Sequence, residues 1–189
     1  LLRSACTTSS TTTGEHLLRQ GDPIVGAYLI LSGRVRIYVA TPNGRQVTLY
    51  FLNPGDTCLL ATNSLFSGSL YPANAEAVSD GEIAVIPGSV FRNLFQSETV
   101  IQDISLQDLS TIVHRLTDEI EIVHSQSVEQ RLMRFLVAES DDDGMVRMTQ
   151  EQIANHLGTT REMVARHIGT FVTANRISSG RGHIQLLQK

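Results

Sequence analysis

The hydrophobic pattern of this chain changes period once, and the change falls at Pro87. Before it, apolar residues come in short runs between turn signals; after it, they recur at helical spacing. A side-chain period of two belongs to sheet and one near 3.6 to helix, so a β region must precede an α region. The β region runs from about residue 10 to 87. In its clearest stretch, "AYLILSGRVRIYV", Val35, Ile37 and Val39 fall on one face and Arg34, Arg36 and Tyr38 on the other. Turn markers recur at Gly21-Asp22, Ser32-Gly33, Asn43-Gly44, Gly55-Asp56 and Asp80-Gly81. Asn43-Gly44 predicts a tight hairpin, because both residues tolerate positive φ. "RQVTLYFL" and "EIAVIP" supply further strands. Many short strands at this spacing predict a small β-barrel or jelly roll.

Beyond Pro87, "SVFRNLF" predicts a short helix, and a long helical pattern starts near residue 98. Leu106, Leu109, Val113, Leu116, Ile120 and Val123 alternate steps of three and four, a heptad seam. Such a stripe can pack on its own barrel. Its narrowness and length after a compact β region favour a parallel dimer seam. A second helix, "VEQRLMRFLVAE", runs into "SDDDG", which lacks the ligand spacing of a calcium loop and reads as a solvated turn. The Ser/Thr-rich residues 7–13 read as a polar lead-in to the first strand. The expected class is α+β: an N-terminal jelly-roll β-barrel over 1–97, a dimerisation helix over 98–125 and a smaller domain over 126–189.

Net charge is −4 over 189 residues, but the charge is divided unevenly. Residues 1–144 carry 9 Lys/Arg and 17 Asp/Glu, while residues 145–189 carry 6 and 2. A basic segment therefore closes an acidic body, and local charge steers a polyanion. No apolar run approaches the roughly 18–20 residues that span a bilayer. The start, "LLRSACTT", has no signal-peptide features, and without an initiator methionine it is expected to follow further N-terminal sequence. Cys6 and Cys58 are too few for a disulfide scaffold and lack zinc spacing, so a reduced cytoplasmic protein is expected. A metal-dependent jelly-roll enzyme needs several barrel histidines, and His16 is the only histidine before residue 114. No glycine-rich phosphate loop or nucleophile elbow appears, so neither a metal site nor catalysis is expected.

The C-terminal segment carries the sharpest motif. "MVRMT" predicts a short strand; Thr149 with Gln152 then has the spacing of a capping box. Ile153, Leu157 and Val164 give an inward face, Ala154 is small where a second helix crosses, and Gly158 suits a left-handed helix end. Thr159 and Glu162 repeat the capping-box spacing at the next helix. This is the grammar of a helix-turn-helix, whose second helix enters the major groove with its N-terminal part. Arg161, Glu162 and Arg166 share one face there. Arginine pairs in bidentate fashion with guanine, and glutamate accepts from the cytosine amino group. Thr149, Thr160 and Gln150 are candidates to hold phosphates. "NRISSGRGHIQLL" reads as a hairpin wing whose Arg181 reaches the DNA backbone. A merely solvated helix face is the alternative; the basic segment and the preceding dimer helix weigh against it.

Over almost its whole length the sequence resembles the CRP/FNR family of bacterial transcription regulators. "LLRQGDPIVGAYLILSGRVRIYV" and "FLNPGD" resemble the family's cyclic-nucleotide-binding-type β-roll, and "TTREMVARHI" its recognition helix. The resemblance implies a jelly-roll sensor, a long helix forming a homodimer and a winged helix-turn-helix. It implies base readout by Arg161, Glu162 and Arg166 on a roughly palindromic double-stranded operator, with RNA polymerase as a further partner. His167 departs from the apolar residue common at its position.

The sensor departs further. Relatives that bind cyclic AMP carry Gly-Glu and, later, Arg-Ser/Thr around the ribose and phosphate. Here Leu60-Ala61 and Tyr71-Pro72 stand near those places. Losing the arginine forfeits a charge-assisted bond of order 1.5–3 kcal/mol, so an effector other than cyclic AMP is expected. A cyclic-nucleotide-responsive regulator stays open as an alternative, as does a ligand-binding module that does not bind DNA. An iron–sulfur sensor needs a cluster of cysteines, and for a haem Cys58 is the one nearby axial candidate. Cys58 reads as a small buried hydrophobe or as a thiol responding to oxidants or reactive sulfur, paired with Cys6; the second needs a depressed pKa and access. Thr62, Asn63, Ser64 and Tyr71, with Thr117 from the long helix, can equally line a pocket for a small polar effector. The effector and any cofactor are left unassigned by these residues.

Overall fold

A computed structural model describes residues 6–41 and 46–187, without the side chains of residue 115 and residues 119–124. The Asn43-Gly44 turn lies outside the described residues. The chain divides into two compact units: residues 1–40 with 49–117, and residues 41–48 with 118–189.

The β region supplies β1 (Thr7–Thr11), β2 (His16–Leu18), β3 (Gly26–Ser32), β4 (Val35–Ala40), β5 (Gln46–Leu52), β6 (Asn74–Ala77) and β7 (Gly81–Pro87). α1 (Leu59–Ser67) interrupts it, and α2 (Gly88–Ser97) and α3 (Thr99–Ser125) follow. The strands form two sheets, ordered β1-β7-β3 and β2-β6-β4-β5, rather than one closed barrel. Both contribute to one core that includes Leu18, Ile30, Ile37, Tyr50, Leu52 and Ile83. Two turn markers meet in space. A Cβ on Gly81 would stand 2.2 Å from the Ser32 carbonyl oxygen, and one on Gly33 2.7 Å from that of Asp80. Only glycine allows that approach, and Gly33 also has φ +79.

β4 departs from its expected alternation. Arg36 and Tyr38 are buried, at 6% and 4% exposure, beside Val35 and Ile37. The strand is internal, between β6 and β5, and the Arg36 guanidinium lies 4.5 Å from the Tyr38 ring centre. Burial lowers the Arg36 pKa, while Glu76, opposite it in register, opposes the shift. α1 has no counterpart in the sequence reading. Five of its nine residues are buried, Leu59, Ala61, Thr62, Ser64 and Leu65, and its N-cap Cys58 makes no side-chain cap bond. Without a recognisable cap or a single apolar stripe, such a helix gives no periodic signal. It ends at Gly68, φ 73.

α3 carries its apolar residues on more than one face. Ile112 is buried, and Leu116 is half-buried against the same roll core. The Thr57 hydroxyl donates to the Asp108 carboxylate, which attaches α3 to the residue preceding Cys58. Leu106, Leu109 and Val113 remain 60%, 46% and 52% exposed. The side chains of Ile120 and Val123 lie outside the described set.

The second unit contains α4 (Val128–Ala138), β8 (Met145–Val146), α5 (Gln150–Leu157), α6 (Arg161–Thr173), β9 (Ile177–Gly180) and β10 (His183–Leu186). Its sheet runs β8-β10-β9. The core is apolar: Leu132, Leu136, Ile153, Val164, Ile168 and Phe171 are all buried, with Ile177 and Ile184 from the hairpin. Ser127 and Gln130 form a full capping box at α4. The "SDDDG" segment is a structured turn. Asp141 accepts from the amides of Met145 at 2.9 Å and Asp143 at 3.1 Å, and from Arg147 at 2.5 Å. The Met145 amide, then Arg147, hold the Asp141 carboxyl below its ordinary range. Among the described residues no three His, Cys, Asp or Glu side chains group as metal ligands, and no helix is long and apolar enough to cross a membrane.

Candidate functional site

Local chemistry builds the helix-turn-helix almost as its spacing requires. Thr149 caps α5, accepting from the Gln152 amide at 3.2 Å, while its own amide donates to Gln152 Oε1 at 2.8 Å. α5 ends at Gly158 with φ 64. The cap of α6 is Thr160, one residue later than the spacing suggested, and it accepts from the Met163 amide at 3.3 Å. Thr159 is occupied in closing α5, its amide donating to the Ala154 carbonyl at 3.0 Å.

On α6, Val164, Ile168 and Phe171 face the core at 0%, 3% and 1% exposure. Arg161, Glu162 and Arg166 are exposed. An open cleft of about 530 Å³ separates the start of this helix from the wing, lined by Thr149, Gln150, Glu151, Arg161, Arg181 and His183 among others. The structure thus gathers four predicted contacts, Thr149, Gln150, Arg161 and Arg181, in one cleft. Glu162, Arg166 and Thr160 are not among the residues that line it. Among the other lining residues, two with ionisable side chains were not foreseen: Glu151, in the first turn of α5, and His183, at the start of β10. The local signal for His183 was a glycine on either side of the hairpin tip, at 180 and 182. His167 is accommodated at the edge of the core, its Nδ1 3.9 Å from Glu129 Oε2.

The residues proposed for an effector pocket are divided between the interior and the surface. Cys58 and Tyr71 are buried at 2% and 1% exposure, with sulfur and hydroxyl 3.5 Å apart. Thr62 and Ser64 are also buried, and the Ser64 hydroxyl donates to the Leu70 carbonyl at 3.3 Å. Asn63 and Thr117 are exposed, and the Thr117 hydroxyl donates to the Val113 carbonyl at 2.8 Å within its own helix. The cavity beside Cys58 measures about 10 Å³, lined by Leu18, Tyr28, Ile30 and Ile37 among others. That is about the space of one water molecule.

Burial pushes the Cys58 thiol up, against the Tyr71 hydroxyl and the amides of Ala61 and Leu60. Burial also raises Tyr71 and Tyr50, with Cys58 adding to both shifts. The thiol is therefore neutral near pH 7, and both cysteines are free. A buried, neutral thiol is the opposite of the reactive type.

Comparison with known proteins agrees with both halves. The cyclic nucleotide-binding domain family matches residues 9–98, and the Crp-like helix-turn-helix domain family matches residues 130–189. Over 157 residues the chain is 25% identical to the fumarate and nitrate reduction regulatory protein of Vibrio cholerae, covering 78% of this chain and 61% of that protein. It is 29% identical over 108 residues to the lysophospholipase nte1 of Aspergillus fumigatus, which covers 57% of this chain and 7% of the enzyme. The chain thus spans less than two thirds of either relative. The crystal structure of a transcriptional regulator of the Crp/Fnr family from Eubacterium rectale matches with a TM-score of 0.90 at 25% identity, over 99% of this chain and 88% of that one.

Proposed function

Because the chain belongs to the CRP/FNR family of transcription regulators, we propose that it is a cytoplasmic homodimer that reads a roughly palindromic operator through Arg161, Glu162 and Arg166. The observation that carries this reading is their exposure on the face of α6 turned from the core, with Arg161 sharing a cleft with the wing. Arg161 and Arg166 suit guanine, and Glu162 suits the cytosine amino group. Thr149, Gln150, Thr160 and Arg181 fix register on phosphates. Two such units address half-sites about 34–36 Å apart. The dimer seam is the open side of α3, where Leu109 and Val113 are exposed, continuing toward Ile120 and Val123. Leu116 joins it with whatever face its packing on the roll leaves open. RNA polymerase is the further partner that such a regulator addresses.

The effector is other than cyclic AMP. Tyr71 and Cys58 fill the interior near the expected arginine, and the cavity beside them is about 10 Å³. Between thiol chemistry and a small polar ligand, the burial of Cys58 favours the ligand. Such a ligand acts only by favouring one arrangement of the protein over another. The bond from Thr57 to Asp108 gives a route from the start of α1 to α3.

The test is operator binding by Arg161→Ala, followed by fluorescence anisotropy. A loss of about 1–3 kcal/mol on the operator, with relaxed preference at one base position, is expected. An equal loss on random duplex would reduce Arg161 to a phosphate contact.

A further inference from the structure

We propose that His183 is a further DNA-contact residue, holding a backbone phosphate in the cleft between the wing and the recognition helix, and that Gly180 is what seats its ring there. This rests on the reading of α5 and α6 as a DNA reader. His183 and Gly180 are directly opposed across the β9–β10 hairpin, so a side chain on either would leave the same face. The His183 ring uses that space. A Cβ added to Gly180 would stand 2.2 Å from His183 Cε1 and 2.4 Å from Nε2. Real side chains do not approach so closely. Any residue but glycine at 180 must therefore move the imidazole.

The ring borders a cleft also lined by Arg161, Arg181, Thr149 and Gln150. A neutral imidazole keeps one N–H donor in either tautomer. The first turn of α5 adds amides that lack partners within the helix, at its positive end. Glu151 is the acidic residue among those lining the cleft, set against two guanidinium groups. A donor-rich site of this kind suits an anion. Folded over the facing strand, the ring has short reach, which fits a phosphate at the groove rim and not a base edge in a groove about 8.5 Å deep. The contact is therefore indifferent to sequence.

The experiment titrates operator and random duplex with wild type, His183→Ala, His183→Gln, Gly180→Ala and the double variant Gly180→Ala/His183→Ala. His183→Ala should weaken both duplexes alike, by about 3–10-fold, the scale of one ordinary hydrogen bond. His183→Gln, which keeps a donor, should recover most of that loss. Gly180→Ala should reproduce the loss with an unchanged melting temperature, and the double variant should bind no worse than His183→Ala alone. Unaltered binding by His183→Ala overturns the proposal, as does a loss confined to the operator. A double variant weaker than either single one would show that Gly180 acts independently of the ring. Arg161→Ala in the same assay separates the two levels. If it loses operator binding while His183→Ala does not, the DNA reader stands and His183 drops out. If wild type prefers no duplex, the reader itself fails.

Discussion

The two compact units of this chain treat polar side chains in opposite ways. Thr11, Arg36, Thr62 and Ser64 are buried among the described residues, and all four belong to the first unit. There too lie the Cys58–Tyr71 contact and the Arg36 guanidinium above Tyr38. The second unit closes on Leu132, Leu136, Ile153, Val164 and Phe171, and its described arginines are exposed except Arg131, which is half-buried and donates to the Leu157 carbonyl. A buried polar group must find a partner, so the first core is specified by the identity of neighbours. The second is specified mainly by volume. A sensing domain whose interior depends on particular bonds can be rearranged by changing one of them. A packed apolar core holds a reading helix in one place.

The contrast can be broken at several levels. The largest effect is expected at neither core but on the open side of α3. Leu109→Glu should yield a monomer by light scattering and weaken operator binding roughly 100-fold or more, because the second half-site no longer binds as an intramolecular event. An unchanged mass would remove the seam. Leu136→Ala, in the apolar core, should cost about 2–5 kcal/mol in urea unfolding of the second unit. A cost below 1 kcal/mol would mean that this core is looser than its burial implies.

In the first unit, Tyr71→Phe keeps the volume and deletes one hydroxyl, so it should cost only about 0.5–1.5 kcal/mol. A cost as large as that of Leu136→Ala would mean that the hydroxyl anchors far more than one sulfur. The smallest effect concerns pH. The folded Cys58 thiol titrates above its unfolded value. Its contribution to stability is therefore complete below about pH 8.5 and is lost as pH rises through the folded pKa. Between about pH 8 and 10 the melting temperature should fall more steeply in wild type than in Cys58→Ala. Parallel slopes would show the thiol to be accessible and unshifted.

The same contrast explains what could be read in advance. The second unit was legible nearly to the residue, because cap, glycine and apolar spacing each state a local rule that the fold obeys. Among its helix caps the slip, Thr159 for Thr160, arose where two threonines compete and one is taken up by the end of α5. β3, β4, β5, β7 and the long α3 were legible from period, whereas β2 and β6 were not, and Thr7–Thr11, expected as a polar lead-in, is itself β1. The burial of Arg36 and Tyr38 could not be read, because alternation reveals two faces and not whether both are covered. α1 was missed because it is buried on several sides and its N-cap, a cysteine, makes no side-chain cap bond. The effector residues were grouped by nearness in sequence, and α1 turns Asn63 outward while Thr62 and Ser64 point in. His183 was overlooked because its role depends on the glycine across the hairpin.

The attachment of Asp108 to Thr57 also sets a mechanical ratio. α3 continues unbroken from Asp108 to Ser125, a run of about 25 Å at 1.5 Å per residue. With Asp108 as fulcrum, a tilt of about 5° carries the far end through about 2 Å. A small shift at α1 would then be magnified along the helix. The length of the arm, as much as the chemistry at its pivot, would set how faint a signal the proposed effector could deliver.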